Sequence, residues 1–401
     1  MNRKIRLFEF FAGIGSQAKA LKNIQKEFNF SFEDAGQCEF YIDAIISYMI
    51  IHHGQLKPET KLTKEQMASR LSKYSFSADS KSLVSETYFQ KMKEQKLAAI
   101  YPYLISFVEN TELIKRYKLI EQRERERESW TDITQFSTLA KDIDILTYSF
   151  PCQDLSQQGK QKGMTKETRS GLLFQIERIL KSNLDKLPKV LVLENVKALA
   201  SSKFIHEFEQ WIEVLKEIGY TSSWKVVNSA DYGSAQNRER VFMVSVLGNH
   251  KFEFPKETKN NKTLRDIWNP KIEHKTIDLP FETVIKTKTI TQSNIHKSFL
   301  ENYTKFNSEN YVYYLDGKGP TLTASGANSR IKILTENQIQ LLSWQEAYLY
   351  MGFEKEDIKK IQNTEILSDS RLIFTAGNSI SVEVLEAIFK KLIEDGVLWE
   401  K

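Results

Sequence analysis

The sequence predicts an α/β fold, a doubly wound and largely parallel sheet accompanied by a second, smaller domain. Three observations carry this. Apolar strand-like runs alternate with helical patterns through residues 5–247, the rhythm of βαβ units. The first run, Ile5–Phe11, passes through Ala12-Gly13-Ile14-Gly15 into a helix-like Ser16–Ile24, the strand-turn-helix of a nucleotide-binding half. Residues 248–330 then change character, being richer in Lys, Asn, Thr and Ser, with short strand-like pieces such as Tyr311–Tyr314. These shifts divide the chain into a main domain, 1–247 plus 356–401, with a helical insertion at about 50–128, and a smaller domain with its hinge at 248–355.

Composition bounds the function. With 401 residues, 41% apolar and 27% charged, the chain is long enough for a large core and for more than one domain. No uncharged apolar run reaches the roughly 18 residues of a membrane span. The start, Met1–Arg6, lacks the apolar stretch of a signal peptide. A cytoplasmic protein without a membrane partner is expected. Two cysteines, Cys38 and Cys152, exclude a disulfide framework and a multi-thiolate zinc site, and no metal is expected. The net charge of +5 is compatible with a polyanionic partner.

In the first turn, Gly13 and Gly15 let the backbone bend tightly and approach a ligand, and the following helix adds free N–H donors. The third glycine of the dinucleotide fingerprint is replaced by Ala18, so the turn does not argue for NAD. Glu39 ends the next strand-like segment, Gly36-Gln37-Cys38, where a carboxylate accepts ribose hydroxyls. Phe40 and Tyr41 follow, either core aromatics or a cover for an adenine face. The insertion is polar and mostly helical in pattern. Its end, Glu121–Glu128, alternates charge and reads as a solvated helix face.

The run Ile143–Tyr148 ends in Ser149-Phe150-Pro151-Cys152-Gln153. A lone cysteine is usually a small buried hydrophobe, and Cys38 is assigned to the core on that ground. Cys152 differs. Pro151 fixes the backbone before it, and the polar Gln153–Gly163 lacks helical periodicity and reads as a lid. A second apolar run, Lys189–Leu193, ends in Glu194-Asn195-Val196. A carboxyl group there is partly desolvated, which raises its pKa; taken alone it would be a capping group. A thiol and a carboxyl at neighbouring strand ends suit attack on an aromatic heterocycle. Gln236–Arg240 precedes the strand Val241–Leu247, where an arginine can bond a base oxygen and neutralise phosphate. Finally Gly377–Ser381 opens a helical pattern, Val382–Ile393, that returns to the main domain.

Phe11–Gly15, Glu39, Asp132-Ile133, Pro151-Cys152-Gln153, Arg169–Phe174, Glu194-Asn195-Val196, Gln236–Arg240 and Gly377-Asn378-Ser379 occur in order across nearly the whole chain. Together they resemble the DNA (cytosine-5)-methyltransferase family. Phe306–Tyr313, Gly319–Arg330 and the long insertion between Glu39 and Asp132 look like those of the mollicute enzymes that methylate CpG. Two departures are mild: Glu9, where the family more often has Asp, and Ile380, where Val is usual.

The resemblance implies a Rossmann-like methyltransferase domain with a target-recognition domain. It implies S-adenosylmethionine as cofactor, leaving as S-adenosylhomocysteine. The cofactor would lie against Phe11, Ala12, Gly13, Ile14 and Gly15, with Glu39 on its ribose, Phe40 and Ile133 on its adenine and Asp132 on the adenine amino group. Leu173, Asn378 and Ser379 would complete the site. Cys152 would attack C6 of a flipped cytosine, with Glu194 on N3 and N4 and Arg240 on O2. Pro151, Gln153, Asn195 and Arg238 would support them, Asn195 by ordering the loop around Pro151. Base readout is expected from Thr323, Ala324, Ser325, Gly326, Asn328 and Arg330, with Gln292 and Ser293 in a second loop. The implied partner is double-stranded DNA, bound by a monomer at the bacterial nucleoid, with a cognate restriction endonuclease as a further one. Four other readings stay open: action on tRNA, a longer restriction-modification target, an NAD-dependent oxidoreductase, and a silent DNA-binding regulator.

Overall fold

A computed structural model of the chain describes residues 3–109, 130–150, 169–258, 260–336 and 338–399. Two compact units divide it: Met1–Val226, Arg240–Pro255 and Ile388–Lys401 form one, Val227–Glu239 and Lys256–Ala387 the other. The second unit is therefore wider than the 248–355 expected from composition, because Gln236, Asn237 and the helices after residue 355 pack with its loops.

The first unit is built on β1 (Arg3–Phe10), β2 (Phe30–Cys38), β3 (Ile145–Tyr148), β4 (Val190–Val196), β5 (Tyr220–Asn228) and β6 (Glu239–Leu247), in the sheet order β2-β1-β3-β4-β6-β5. β1 runs parallel to β2 and β3, β3 parallel to β4, and β6 antiparallel to β4. The central strands read as continuous apolar runs because both of their faces are covered. Phe8, Phe10, Leu146, Tyr148, Leu191, Leu193, Val241 and Met243 share one core. Cys38 lies in it, 4% exposed, as expected.

The helices beside the sheet are α1 (Ser16–Ile24), α2 (Ile42–His53), α3 (Lys64–Leu71), α4 (Tyr88–Lys91), α5 (Glu94–Val108), α6 (Leu173–Lys181) and α7 (Ile205–Ile218). In α7 the buried Phe208, Trp211 and Leu215 recur at helical spacing and form its core stripe. The Trp211 indole N–H donates to the Tyr148 hydroxyl at 3.0 Å, so this aromatic buries no unsatisfied donor. Gly219, at φ 109°, ends the helix. The insertion is helical over α3 to α5 and irregular between them; the charge run at 121–128 lies outside the described residues.

β4 runs further than its apolar run suggested. β4 continues through Glu194, Asn195 and Val196 because its ladder with β6 continues, Glu194 opposite Phe242 and Val196 opposite Arg240. Glu194 and Asn195 are thus consecutive strand residues and face opposite sides of the sheet.

The second unit holds β7 (Thr276–Ile277), β8 (Val284–Ile285), β9 (Thr289–Ile290), β10 (His296–Glu301), β11 (Tyr311–Tyr314), β12 (Lys332–Leu334) and β13 (Ile339–Leu341). Their order is β7-β13-β12-β11-β10-β8, with β9 also on β10. After them come α8 (Trp344–Tyr350), α9 (Lys355–Gln362), α10 (Asp369–Gly377) and α11 (Val382–Glu394). Ser343 and Glu346 form a capping box at the start of α8. The stretch Asp369–Glu394 is apolar enough on average to match a membrane span, but 67% of its most apolar window is buried. Asn378–Ser381 breaks it into α10 and α11, two core helices.

Candidate functional site

At the end of β1 the backbone turns through three residues of positive φ: Phe11 at 56°, Gly13 at 57° and Gly15 at 77°. The two glycines serve different needs. Among the described residues, no atom beyond its chain neighbours lies within 4 Å of where a Gly13 side chain would begin, so that face is open to a ligand. A side chain at Gly15 would overlap the rings of His52 and Tyr48, so Gly15 is demanded by the packing of α2. Ala12 and Ile14 are buried, while Phe11 and Gly13 are half-buried.

Glu39 closes the cradle. Its Oε2 accepts from the Gly13 N–H at 2.9 Å, and its Oε1 accepts from the N–H groups of Phe40 and Tyr41, each at 2.9 Å. Burial pushes this carboxyl above its ordinary value, against the pull of those three donors. The residue nevertheless keeps partial exposure. A carboxylate anchored by backbone donors and still open on one side suits a diol. The Glu39 N–H donates to Trp130 O at 3.1 Å, which brings the Trp130–Ile133 segment alongside. There Asp132 accepts from the N–H and hydroxyl of Thr134 and from Gln135, and Ile133 is buried. Burial, with the charges of Glu39 and Asp132, pushes the Cys38 thiol well up, which keeps it protonated and inert. Leu173 opens α6 and packs into the same core. The cradle thus joins residues 11–15, 39–40 and 132–133 around an open glycine face, and its donor set fits a nucleoside.

Of the layer behind the glycine turn, only Glu9 stood out in the sequence. Glu9, 1% exposed, accepts from the Ala18 N–H in the first turn of α1 at 3.3 Å and from the Tyr48 hydroxyl at 2.9 Å. Burial, then the charge of Asp34, pushes its carboxyl up to about 8. His52 Nε2 lies 3.1 Å from Ile14 O, and its Nδ1 lies 3.2 Å from Lys22 Nζ. Nε2–H therefore donates to the turn and Nδ1 accepts from the lysine. Burial and Lys22 hold this imidazole well below its usual range, so it braces the turn as a neutral ring.

Glu194 and Arg240 meet across the β4–β6 ladder, Arg240 Nε 3.2 Å from Glu194 Oε1. They are diagonal neighbours on one face, within reach of a long side chain. On the other face, Asn195 Nδ2 donates to Phe150 O at 3.1 Å. It thereby fixes the chain where it leaves β3. Pro151, Cys152 and Gln153, with the expected lid to Gly163, lie outside the described residues.

Arg238 serves the second unit. It is 4% exposed in the second unit and donates to Leu322 O at 2.9 Å, Ser379 O at 2.9 Å and Gly377 O at 3.4 Å. Gln236 and Asn237 organise both expected recognition loops. Gln236 Oε1 accepts from the Leu322 N–H at 2.9 Å, Asn237 O accepts from the Thr321 hydroxyl at 2.6 Å, and Asn237 Nδ2 donates to Ser293 O at 3.0 Å. Thr323 donates to Ser325 O, and Ser329 to Gly326 O, closing the first loop on itself. Ser325, Gly326, Gln292 and Ser293 are exposed, and Ala324 and Asn328 half-buried. Arg330 bonds Glu309 at 2.6 Å. Asn378 is exposed; the Ser379 hydroxyl is turned back onto Ala376 O at 2.7 Å.

The family model for C-5 cytosine-specific DNA methylases matches residues 100–394. The chain is 43% identical over 397 residues to the orphan methyltransferase M.SssI of Spiroplasma monobiae, covering 97% of each. It is 30% identical over 406 residues to the type II methyltransferase M2.ScrFI of Lactococcus lactis subsp. cremoris, covering 97% of this chain and 99% of that one. Among solved structures it is similar in fold to the methyltransferase EhMeth of Entamoeba histolytica, with a TM-score of 0.58 at 13% identity, covering 98% and 99% of the two chains. The Dnmt2 methyltransferase of S. pombe gives 0.56 at 16% identity, with the same coverage.

Proposed function

The chain belongs to the C-5 cytosine-specific DNA methylase family, and from that premise we propose that it methylates a cytosine flipped out of duplex DNA, in a CpG context, through a covalent bond to Cys152. One observation carries the chemistry. Glu194 is paired with Arg240 across the β4–β6 ladder, and the residue after it, Asn195, holds the carbonyl of Phe150, two residues before Cys152. β3, which leads to Phe150, runs parallel to β4, so the chain toward Cys152 leaves from the strand next to that of Glu194.

Inside a duplex neither C5 nor C6 is accessible, so the base must leave the stack. The Cys152 thiolate adds to C6. The C5–C6 double bond opens and its electron pair is delivered to C5. Glu194 donates to N3 and accepts from the N4 amino group, and Arg240 donates to O2; both draw electron density out of the ring. S-adenosylmethionine, the cofactor implied by the family, supplies an electrophilic methyl group for C5 when bound. With S-adenosylhomocysteine as the methyl donor's product, C5 gives up its proton to a water, the C–H electron pair restores the double bond, and Cys152 leaves C6 as thiolate.

In this reading Glu39 accepts from the ribose hydroxyls, and Gly13 lets the ligand approach the backbone. Phe11, Phe40 and Ile133 flank the adenine, and Asp132 takes its amino group. Ala12, Ile14, Gly15 and Leu173 shape the cradle from behind, and Asn378 and Ser379 complete it. Arg238 is a positioning residue, since both of its terminal nitrogens donate to backbone carbonyl groups. Pro151 and Gln153 shape the segment around the nucleophile. Base readout falls to Thr323–Arg330 and to Gln292-Ser293. The CpG context is supported by the likeness of those loops and by 43% identity to the Spiroplasma enzyme. Since CpG reads alike on both strands, a monomer suffices to modify each in separate encounters.

The test is bisulfite sequencing of DNA from cells expressing the protein. Conversion-resistant cytosines at CpG, and not elsewhere, are expected. Methylation confined to a longer motif would overturn the CpG assignment, and unmethylated DNA with folded protein present would overturn the activity.

A further inference from the structure

We infer that Arg238 and Gly377 weld the first recognition loop to the Gly377-Asn378-Ser379 turn, so that reading of the target dinucleotide and grip on the cofactor are thermodynamically coupled. The inference rests on the assignment above of Thr323–Arg330 to DNA and of Asn378 and Ser379 to the cofactor.

Three observations within the second unit carry it. Arg238 bonds both parts at once: one terminal nitrogen donates to Leu322 O at 2.9 Å, the other to Ser379 O at 2.9 Å and Gly377 O at 3.4 Å. A guanidinium is planar and rigid, so the two carbonyl groups cannot move apart without losing a buried bond. Second, Gly377 admits the recognition loop against its own backbone. A side chain there would overlap the Thr323 carbonyl and the Ala324 nitrogen, with Thr323 O 2.5 Å from its first carbon. Third, the short 3-10 turn Ala327–Ser329 in the same loop lies against α10, the helix that Gly377 ends. Loop and turn therefore share one rigid contact.

A ligand that fixes the loop will favour one arrangement of the turn, and linkage requires the reverse with the same factor. The decisive variant is Gly377→Ala. Gly377 is helical and has no positive φ, so the backbone tolerates alanine; only the overlap with Thr323 and Ala324 opposes it.

Calorimetry would measure the affinity for S-adenosylhomocysteine with the full-length protein free, saturated with a duplex carrying one CpG, and saturated with the same duplex carrying TpG. For the wild type a tightening of about 5-fold or more by the CpG duplex over the TpG duplex is expected. In Gly377→Ala that ratio should collapse toward unity. Should Gly377→Ala fail to fold by thermal unfolding, Arg238→Lys is read in the same way, since a single ammonium cannot span both carbonyls in the guanidinium geometry. A wild-type ratio of one, or a folded variant that keeps the full ratio, overturns the coupling. Glu39→Ala separates this from failure of the site itself. It should weaken S-adenosylhomocysteine equally with either duplex and leave the ratio intact. If Glu39→Ala changes nothing, the cofactor placement has failed; if it responds while Gly377→Ala keeps the ratio, only the coupling has.

Discussion

Arg240 sits one diagonal step across the β4–β6 ladder from Glu194, its Nε 3.2 Å from Oε1, with the two side chains 17% and 10% exposed. The pair puts a donor fork and a carboxyl on one face of two hydrogen-bonded strands. Strands hold such groups more rigidly than loops do, which is what stabilising a developing charge requires. Glu194→Gln keeps an oxygen for Arg240 and replaces the other by an amide NH2, which cannot give up a proton to N3. Its single-turnover methyl-transfer rate should fall by about 10²–10³, with a smaller loss of DNA affinity. Arg240→Ala should lower both. A wild-type rate in Glu194→Gln would make the carboxyl structural.

Cys152→Ser should abolish methyl transfer and spare cofactor and DNA binding, because a hydroxyl is a far weaker nucleophile at neutral pH. A duplex with 5-fluorocytosine at the target should trap the wild-type protein covalently, since fluorine cannot leave as a proton does. Denaturing gels report the trap. Sustained turnover by the serine variant would remove Cys152 from the mechanism.

Glu39 both faces the proposed ligand and ties Gly13, Phe40 and Tyr41 together. Glu39→Ala should therefore weaken S-adenosylmethionine by about tenfold or more, the loss of hydrogen bonds to a charged group. Asp132→Ala should act in the same direction. Neither should alter the sequence methylated. Titration calorimetry checks the affinity, and unchanged binding in both would refute the placement.

Glu9 gives a pH dependence of known sign. Its carboxyl is raised from 4.5 to about 8 in the fold, chiefly by burial. The fold therefore prefers the neutral acid, and the stability it contributes is complete below 4.5 and is lost as pH rises toward about 8. The slope approaches about 1.4 kcal/mol per pH unit in that window. Urea unfolding of the wild type and of Glu9→Gln at several pH values isolates it. The wild type should lose stability relative to the variant as pH rises; parallel curves would show that Glu9 stays ionised.

Ser325 and Asn328 make no side-chain hydrogen bond among the described residues. Replacing both by Ala should narrow the preference for CpG over CpA and CpT by up to roughly 1–3 kcal/mol per lost contact. Deep bisulfite sequencing of a randomised-flank substrate measures this. A uniform loss of activity across all sequences would instead assign the loop to the phosphate grip.

The sequence by itself determined the elements and the chemistry carried by adjacent residues. Ile5–Phe11 with its glycine turn, Ser16–Ile24 and Val382–Ile393 were legible because apolar periodicity and glycine placement are local. So was Cys38 as core. Glu39 was legible as an acid at a strand end, since two of its three backbone donors, Phe40 and Tyr41, directly follow it. Only the tertiary structure decided that Arg240 meets Glu194, 46 residues away in sequence, because their contact follows from the antiparallel register of β4 and β6 and from a β4 that runs on past its apolar run. The same holds for His52 beneath Gly15, for Tyr48 on Glu9, and for Arg238 between Leu322 and Ser379. Each of those contacts joins residues far apart along the chain through a backbone carbonyl or a buried side chain. A carbonyl is present at every position, so no residue type marks in advance the one that a distant donor will find.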